Sequence, residues 1–430
     1  MLARTAIPHL FHWRLWRWWI SALLLLLLVL GGARVALLEG LWTPVRITGP
    51  SMAPTLTGEQ TLLDCQACRF PIAFDATAPA SRIVCPNCGH LQTDDVATHT
   101  SAGQRVLIDR WPLLWRAPER MELVAWETSE GLAVKRVIGL PGEQIAIRNG
   151  ELYRNERLWQ KTLAEQRALS QLVHDDRYSA AGESPWQPEP SEAARFNASQ
   201  ATHTLSATEE LTWLSFHPPA LQLVPNAAEH ARITDIDLYN PAAARTINDV
   251  FDVRVTGRIE LDAPGLVMWR LHDGWNAWRI EWNHTEYIAH LYHNEKHLGL
   301  QVNLRPTPMA DEQAFDFEVA LCDQQIILVI DGQTCFEHDY SASEAARELG
   351  DSAPISVGIT QANAKITNLR VYRDIYWLDP LGLNRPWQAD APLRENEYFL
   401  LGDNVPVSTD SRHLGPAPRN QLRGVVKARD

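Results

Sequence analysis

Two segments that lie far apart in the chain contain the residue types that amide hydrolysis requires. Ser51 lies in a short turn between Pro50 and Pro54, which stiffen the backbone. Lys135 lies in the apolar segment Leu132–Ile138. A serine hydroxyl attacks a carbonyl poorly until a neighbouring base takes its proton, and a lysine can be that base only when its amine is uncharged. Because burial lowers the pKa of a lysine, the pattern suggests Ser51 as nucleophile and Lys135 as general base.

A third segment is a polar loop near the end of the chain. It contains Gly402-Asp403-Asn404, followed by Ser408, Asp410 and Arg412. The hydroxyl of Ser408 can hydrogen-bond to Lys135 and orient it. Asp410 and Arg412 can form an ion pair that holds the loop in one conformation.

Each of these features also has a simpler explanation when it is considered alone. A serine between prolines is usually part of a turn, and a lysine in a strand usually reaches solvent at an edge. A Gly-Asp-Asn loop is usually a turn or an ion site. Their joint presence behind an apolar N-terminal segment favours catalysis over three unrelated structural roles.

At these residues the sequence resembles the type I signal peptidases. That family has Ser-Met-x-Pro-Thr after its membrane anchor, then Lys-Arg-x-x-Gly-x-Pro-Gly-Asp/Glu, then Gly-Asp-Asn followed by Ser-x-Asp-Ser-Arg-x-x-Gly. This chain has the three patterns in the same order. The resemblance covers residues 12–64, 104–160 and 391–430.

The resemblance implies a mechanism and a role for each matching residue. Ser51 would attack the scissile carbonyl, and its backbone N–H would contribute to the oxyanion hole. Lys135 would take the Ser51 proton and return it to the leaving amine. Ser408 would position Lys135, with Asp410 and Arg412 supporting the site. No cofactor is expected for catalysis.

The resemblance also implies a substrate, namely exported preproteins with small residues (Ala-x-Ala) before the cut. Met52 and Pro54 would line the substrate cleft, although a single methionine could equally be ordinary core packing. Gly49 is a departure, because some family members have a serine there as a second oxyanion donor. Met121-Glu122 replaces the usual Gly-Asp, which we interpret as a structural difference.

An apolar segment before Ser51 predicts a membrane anchor. Residues 18–33 carry no charge, and a helix over residues 18–40 would be long enough to cross about 30 Å of hydrocarbon. Positive residues before it predict a cytoplasmic N-terminus, one crossing of the cell (inner) membrane and an extracytoplasmic catalytic domain. These residues are Arg4, Arg14 and Arg17. A cleaved signal peptide is the alternative explanation.

The composition excludes some classes of protein. A hydrophobic fraction of 45% over 430 residues is enough for a buried core, which excludes global disorder. The net charge of −13 disfavours nucleic-acid binding, which requires basic surfaces that neutralise phosphates. Nucleic acid is therefore not an expected partner. The resemblance implies preprotein signal peptides as partners, and the predicted anchor implies membrane lipid.

Four of the six cysteines form two close pairs, Cys65 with Cys68 and Cys85 with Cys88. This CxxC…CxxC spacing is typical of a zinc ribbon, in which four thiolates bind one structural Zn²⁺. The ribbon is predicted over residues 65–95. Two disulfides are the alternative, because the extracytoplasmic side is oxidising. Catalytic zinc is disfavoured, because four cysteines leave no open coordination position.

Alternating polar and apolar residues predict strands in the segment that contains Lys135. Asn149-Gly150 predicts a tight hairpin turn between two of them. The predicted strands are Arg105–Asp109, Met121–Trp126, Leu132–Ile138, Gln144–Ile147 and Glu151–Arg154.

The whole pattern predicts a mainly β fold in which a catalytic domain is split by two insertions. The first insertion is the ribbon. The second, residues 205–384, has many short strands and resembles concanavalin-like or laminin-G-like jelly rolls in pattern. Residues 161–204 are interpreted as a linker that begins with a short helix over 161–173. The catalytic domain is assigned to residues 41–64, 96–160 and 385–430.

Two features of the second insertion bear on its own role. Its aromatic segment from Trp269 to Trp282 could stack on a sugar and so give the sandwich a protein or glycan ligand, although core and edge packing is the favoured explanation. A hairpin with Asp331-Gly332 as its turn would place Cys335 opposite Leu328, away from Cys322.

Two other functions compete with an active signal peptidase. One is an anchored binding protein whose protease core is vestigial, which the intact Ser51 and Lys135 oppose. The other is a self-cleaving regulator, since repressor-type proteases share serine–lysine chemistry. No helix-turn-helix pattern is visible in the sequence, which disfavours that alternative.

Overall fold

The computed structural model describes residues 10–38, 40–78, 82–93, 97–179, 184–189, 194–197, 201–207, 210–221, 232–240, 246–283, 285–303, 313–341 and 353–428. Its first element is a helix, α1 (Leu10–Leu38), which begins before the predicted start at residue 18. The side chains from Trp16 to Arg34 are exposed, and this stretch is long and apolar enough to cross a membrane. α1 is therefore not a core helix of the folded domains.

The next strands flank the Ser51 turn and build the ribbon. They are β1 (Trp42–Arg46), β2 (Gln60–Asp64), β3 (Pro71–Asp75) and β4 (His99–Ser101). The last three form an antiparallel sheet in the order β3-β2-β4. The ribbon thus extends beyond the predicted residues 65–95 at both ends.

The strands around Lys135 follow the sequence pattern closely. They are β5 (Arg105–Asp109), β6 (Leu123–Thr128), β7 (Gly131–Gly139), β8 (Ile145–Arg148), β9 (Glu151–Arg154) and β10 (Arg157–Leu158), with a short helix α2 (Trp111–Trp115) after β5. Asn149 and Gly150 have φ values of 51° and 84°, which a two-residue turn between β8 and β9 requires.

The second insertion begins with a helix, α3 (Leu163–Leu169), whose first turn is capped by the Thr162 hydroxyl. Strands follow it along the described chain: β11 (Gln171–Asp175), β12 (Trp186–Glu189), β13 (Ala194–Asn197), β14 (Thr202–Leu205), β15 (Thr212–Phe216), β16 (Val253–Leu261), β17 (Leu266–His272), β18 (Ala277–Asn283), β19 (Ile288–His293), β20 (Lys296–Asn303), β21 (Ala314–Cys322), β22 (Gln325–Ile330), β23 (Gln333–Asp339), β24 (Ile355–Thr360) and β25 (Ala364–Arg373).

The chain then returns to the catalytic domain. The elements here are β26 (Trp387–Gln388), β27 (Glu397–Leu401), α4 (Ser411–Leu414), β28 (Ala417–Pro418), a 3₁₀ turn (Arg419–Gln421) and β29 (Leu422–Ala428). The main catalytic sheet has the order β1-β5-β29-β6-β7-β27-β28 among the described strands, and a smaller sheet has the order β10-β9-β8-β26. The strand that carries Lys135 therefore lies beside β27, which leads into the polar loop at residues 402–412.

The second insertion is a β-sandwich of two antiparallel sheets. One has the order β13-β14-β25-β16-β21-β22-β23, with β11 also paired to β25, and the other has the order β12-β15-β24-β17-β18-β19-β20. Their inner faces share one hydrophobic core. The rings of Trp269 on β17 and Phe317 on β21 lie 5.3 Å apart across this core. Trp278 and Trp282 are also buried, so core packing explains these three tryptophans.

The segment 161–204 carries structure that the sequence interpretation missed. Its helix ends at Leu169, and β11 to β14 then pair with strands of the sandwich, so the described part of this segment is not a linker. β12 is at a sheet edge, where Pro188 is tolerated and polar residues are frequent, so its alternation is weak in the sequence.

The hairpin at Asp331-Gly332 forms as predicted, but its register is offset. Leu328 pairs with Phe336 and Val329 with Thr334, which leaves Cys335 at a bulge. A bulge adds one unpaired residue to a strand, so the predicted pairing of Cys335 with Leu328 is wrong. The six cysteines, all within the described residues, form no disulfide in this structure.

A buried lysine holds the start of the second insertion to the sandwich. Lys161 donates a hydrogen bond to Asp323, and its Nζ lies 2.9 Å from a carboxylate oxygen of Asp374. Burial alone would lower the pKa of Lys161, but the two carboxylates raise it well above its usual range. The amine therefore stays charged and holds the start of the insertion to two of its loops.

Candidate active site

β7 places Lys135 inside the main catalytic sheet. Lys135 pairs with Val124 of β6, and its neighbour Arg136 pairs with Leu401 of β27. The side chain of Lys135 is buried, and its Nζ donates a hydrogen bond of 2.9 Å to Ser408 Oγ. Burial lowers the pKa of Lys135 from 10.5 to about 8. The uncharged amine that a general base needs is therefore well populated at mildly alkaline pH.

Ser408, Asp410 and Arg412 form a buried network next to this amine. The Ser408 hydroxyl donates to an Asp410 oxygen at 2.8 Å, so its oxygen is left to accept from Lys135. Arg412 donates to both oxygens of Asp410, at 2.9 and 2.8 Å. Burial alone would raise the pKa of Asp410, but the Arg412 guanidinium holds it well below its usual range. Asp410 is thus a stable anion that fixes the direction of the Ser408 O–H group.

The turn that carries Ser51 is held by its neighbours on both sides. Met52 is buried with Leu56 in a hydrophobic cluster of the catalytic domain. The backbone N–H of Asn404 donates to the Ser51 carbonyl at 3.1 Å, and its side-chain amide donates to the Pro50 carbonyl at 3.2 Å. The turn is therefore bound directly to the loop that contains Ser408.

Gly402 brings this loop and the Ser51 turn into contact. A β-carbon at Gly402 would lie 2.1 Å from Ser408 Oγ and 2.5 Å from the Ser51 carbonyl oxygen. A glycine is needed here because these two groups occupy the space that a side chain would take. The backbone of Ser51 therefore lies close to Ser408, which accepts the hydrogen bond of Lys135.

The structure brings Ser51 and Lys135 to one site without joining them by a hydrogen bond. The amine of Lys135 is bonded to Ser408, and within the described residues the Ser51 hydroxyl does not bond to that amine. Catalytic hydrogen bonds are often long before a substrate is bound.

Arg136 and Asp403 form a second buried ion pair beside the first. Arg136 donates to both oxygens of Asp403, at 2.9 and 2.5 Å, and Thr55 donates to the same carboxylate at 2.6 Å. Since successive residues of a strand face opposite ways, Arg136 can bind Asp403 while Lys135 binds Ser408. Asp403 was not a predicted site residue. Its sequence signal is the presence of Gly402-Asp403-Asn404 in a chain that also contains Lys135-Arg136.

Two of the predicted cleft residues have different environments. Met52 is 1% exposed and packs in the core, whereas Pro54 is exposed and borders a cavity beside the Ser51 turn. The structure therefore places Pro54, and not Met52, where it can meet a ligand. A β-carbon at Gly49 would meet nothing within 4 Å, so this departure from the family pattern is not imposed by crowding.

The two cysteine pairs converge on one point. The sulfurs of Cys65, Cys68, Cys85 and Cys88 lie within 4.8 Å of one another, and two of the distances are 3.7 Å (Cys65–Cys88) and 3.6 Å (Cys68–Cys85). Four sulfurs at about 2.3 Å from a tetrahedral zinc would be about 3.8 Å apart. The donor set and its spacing therefore fit Zn²⁺.

The solved structures that comparison finds are remote from this chain. A carbohydrate binding module CBM66 from Bacillus subtilis is 11% identical, with a TM-score of 0.21 over 27% of this chain and 73% of that one. A galectin-like protein of unknown function from Bacillus subtilis is 9% identical, with a TM-score of 0.27 over 44% and 89%. An endo-beta-1,3-glucanase from Pyrococcus furiosus is 13% identical, with a TM-score of 0.31 over 54% and 98%. Scores this low carry no conclusion about function.

Comparison with curated proteins gives no match. A family model described as signal peptidase, peptidase S26, matches residues 15–209 and 327–429, which together are more than half of the chain. The match includes the Ser51 turn, the Lys135 strand and the loop at 402–412, so the residues that form the site lie inside the matched segments. The chain belongs to the signal peptidase S26 family.

Proposed function

We propose that the chain is a membrane-bound serine endopeptidase that removes signal peptides from exported preproteins by a Ser51/Lys135 dyad. The observation that carries the proposal is the buried amine of Lys135, which has a lowered pKa and lies in the same small site as the Ser51 turn. Membership of the signal peptidase family supports the same reaction.

In the proposed reaction Lys135 takes the hydroxyl proton of Ser51 while Ser51 Oγ attacks the carbonyl carbon of the scissile bond. The Ser51 backbone N–H stabilises the oxyanion of the tetrahedral intermediate. Lys135 then gives the proton to the leaving amine, and an acyl–Ser51 ester remains. A water molecule that loses its proton to Lys135 attacks this ester, and the proton returns to Ser51 Oγ as the free carboxyl end leaves.

The network around Lys135 has a positioning role in this proposal. Ser408 accepts from the amine, which limits its rotation. Asp410 and Arg412 are opposite charges in close contact, so their fields at Lys135 largely offset each other, whereas an unpaired Asp410 would raise the pKa of the base. The lysine can then lose its proton near physiological pH.

The helix α1 is proposed to anchor the protease in the cell (inner) membrane with its N-terminus in the cytoplasm. The apolar stretch Trp16–Arg34 supports a single crossing, and the preceding arginines support this orientation. An anchor would hold the site near membrane-bound signal peptides. A protein or glycan ligand for the sandwich remains a further proposal.

The four cysteines are proposed to hold one structural zinc ion. Zinc would join the end of β2 to the loop before β4 and so stabilise a unit with a small hydrophobic core. Gln92 would support the ligands, since its side-chain amide lies 3.4 Å from Cys65 Sγ.

A vestigial protease is a weaker alternative. Burying an amine with a lowered pKa costs stability, and an apolar residue would fill the same space without that cost. A chain that no longer cleaved anything would gain from losing Lys135, yet the lysine and its hydrogen-bonded partners are all present.

Replacement of either dyad residue tests the proposed reaction. Ser51→Ala and Lys135→Ala are each expected to lower kcat for a model preprotein by about 10³-fold or more, because neither nucleophile nor base can then act. Ser206→Ala and Lys365→Ala are matched controls on exposed side chains and should cleave normally. Cleavage by Ser51→Ala at the wild-type rate would contradict the dyad.

Lys135→Met separates the stability of the site from its activity. The pKa of Lys135 is about 8 in the folded state and 10.5 in the unfolded state. Burial of the ammonium therefore destabilises the fold fully below pH 8, and this destabilisation is lost as the pH rises from 8 to 10.5. Lys135→Met should therefore raise the free energy of unfolding at pH 6 by about 1–3 kcal/mol, and less as the pH rises above 8. Chemical denaturation at several pH values measures this, with Lys365→Met as the exposed control. If Lys135→Met lowered the free energy of unfolding at pH 6, the claim that burial disfavours the charged amine would be wrong.

Metal analysis tests the proposed zinc site. The purified chain should contain one zinc per molecule, and Cys85→Ser should lose the metal and lower Tm because three thiolates bind Zn²⁺ less tightly. Cys335→Ser is the matched control, since Cys335 lies in the sandwich and should not affect zinc content. A metal-free chain with two disulfides among the four cysteines would show that the alternative is correct.

A further inference from the structure

A cavity of about 310 Å³ lies beside the Ser51 turn, where the three folded units meet. The turn contributes Ala53 and Pro54, the catalytic loop contributes residues 403–406, the ribbon contributes 70–73, and the sandwich contributes 232–239. The volume is at the lower end of the range for ligand pockets, which is about 300–1,000 Å³. Since two of the walls come from the insertions, the catalytic domain alone could not form this cavity.

The cavity is mainly apolar, but two hydroxyl oxygens and one amide oxygen of its lining residues have no hydrogen-bond partner. Within the described chain, Thr234 Oγ1, Tyr239 Oη and Asn404 Oδ1 are buried and make no hydrogen bond. Burial raises the pKa of Tyr239 to about 12, so its hydroxyl keeps its proton and can donate. Buried polar groups in native proteins are nearly always paired, because an unpaired one loses its hydration without compensation. Three such atoms around one cavity indicate a ligand that can pair with them.

Asn404 connects this cavity to the nucleophile. Residue 404 is 4% exposed. Its side-chain amide N–H groups are used by the carbonyl of Pro50 and, at 2.8 Å, by Asn240 of the sandwich, while its backbone N–H binds the Ser51 carbonyl. Asn240 in turn donates to Asp75 of the ribbon at 2.9 Å. A ligand that binds Asn404 Oδ1 would therefore be held at a fixed position relative to Ser51.

We infer that this cavity is an additional substrate-binding site, which takes an extended segment of the preprotein adjacent to its cleavage site. The inference rests on the proposed function and names a second place where the same substrate is recognised. A peptide backbone provides an N–H for Asn404 Oδ1 and a carbonyl for Tyr239 Oη, and its apolar side chains can pack on Pro71 and Ile72. A lipid acyl chain would match the apolar walls but leave the three polar atoms unpaired, so a peptide is favoured.

The site gives the two insertions a role in specificity. The loop 232–240 of the sandwich closes one side of the cavity, and the ribbon closes another. Substrates would then be selected by residues beyond those that contact the catalytic domain. Thr234 and Tyr239 are specificity-determining residues in this account, and neither touches the reacting atoms.

The test measures peptide binding to the full chain with Ser51→Ala, which prevents turnover. One synthetic peptide spans an Ala-x-Ala cleavage site with long flanks on both sides, and a second is truncated to the residues immediately around the cut. Tyr239→Phe and Thr234→Val, added to Ser51→Ala, each remove one unpaired hydroxyl and little else. Each should raise Kd for the long peptide by about threefold to tenfold, leave Kd for the short peptide unchanged, and leave Tm unchanged or slightly higher.

Tyr292→Phe is the matched control, because its hydroxyl lies on the sandwich and is already bonded to Glu281 at 3.0 Å. Its Kd for the long peptide should equal that of Ser51→Ala alone. Unchanged affinity for the long peptide in both test variants would overturn the inference, as would failure of Ser51→Ala to bind that peptide or a large loss of Tm in the variants. Failure of the proposed function looks different: the wild type would leave uncut a peptide that Ser51→Ala binds in a Tyr239-dependent way.

Discussion

The rest of the site depends on the burial of the Lys135 amine, because burial makes its charged form costly. Burial is the largest effect on Lys135 and lowers its pKa. The anion of Asp410 acts in the opposite sense, but Arg412 binds both of its oxygens and reduces its influence. Asp403 is compensated by Arg136 in the same way. Each buried carboxylate near the amine thus has its own guanidinium, and desolvation decides the protonation state of Lys135.

The order of strands explains how residues so distant in sequence meet. β27 pairs with β7, which places the loop that follows β27 beside Lys135. The segment between these strands leaves the catalytic sheet, forms the sandwich and returns. The buried contacts of Lys161 with Asp323 and Asp374 hold the start of this inserted segment to the sandwich. Two insertions of this size can therefore be added to the catalytic domain without moving its site residues apart, and through Asn240 the sandwich reaches the Ser51 turn.

Much of the catalytic domain could be predicted from the sequence because its signals are local. Strand alternation gave the bounds of β5 to β9 within two residues, and Asn149-Gly150 has the positive φ values that a tight hairpin turn requires. Spacing alone predicted the convergence of the four cysteines. The strands β11 to β14 were missed. β12 and β13 lie at sheet edges, and strands at an edge or with one polar face have little hydrophobic alternation. The bulge at Cys335 has no sequence signal of its own.

The contacts between units could not be predicted for a different reason. The hydrogen bonds of Asn240 to Asn404 and Asp75 join three parts of the chain, and no local pattern determines which loop will lie against which. The cavity beside Ser51 depends on the same packing. Residues that act through such long-range contacts are visible only once the fold is known, whereas the residues of the proposed dyad can be found from their sequence patterns.

The pH dependence of kcat/KM for a preprotein substrate is the most direct test of the central claim, since it reports the protonation state of the base in the free enzyme. In the proposed mechanism only neutral Lys135 can take the Ser51 proton, so the rate should rise with pH and reach half its maximum at about pH 8. A rate that is constant across this range, or one that rises with a midpoint near the histidine value of about 6.5, would contradict the account.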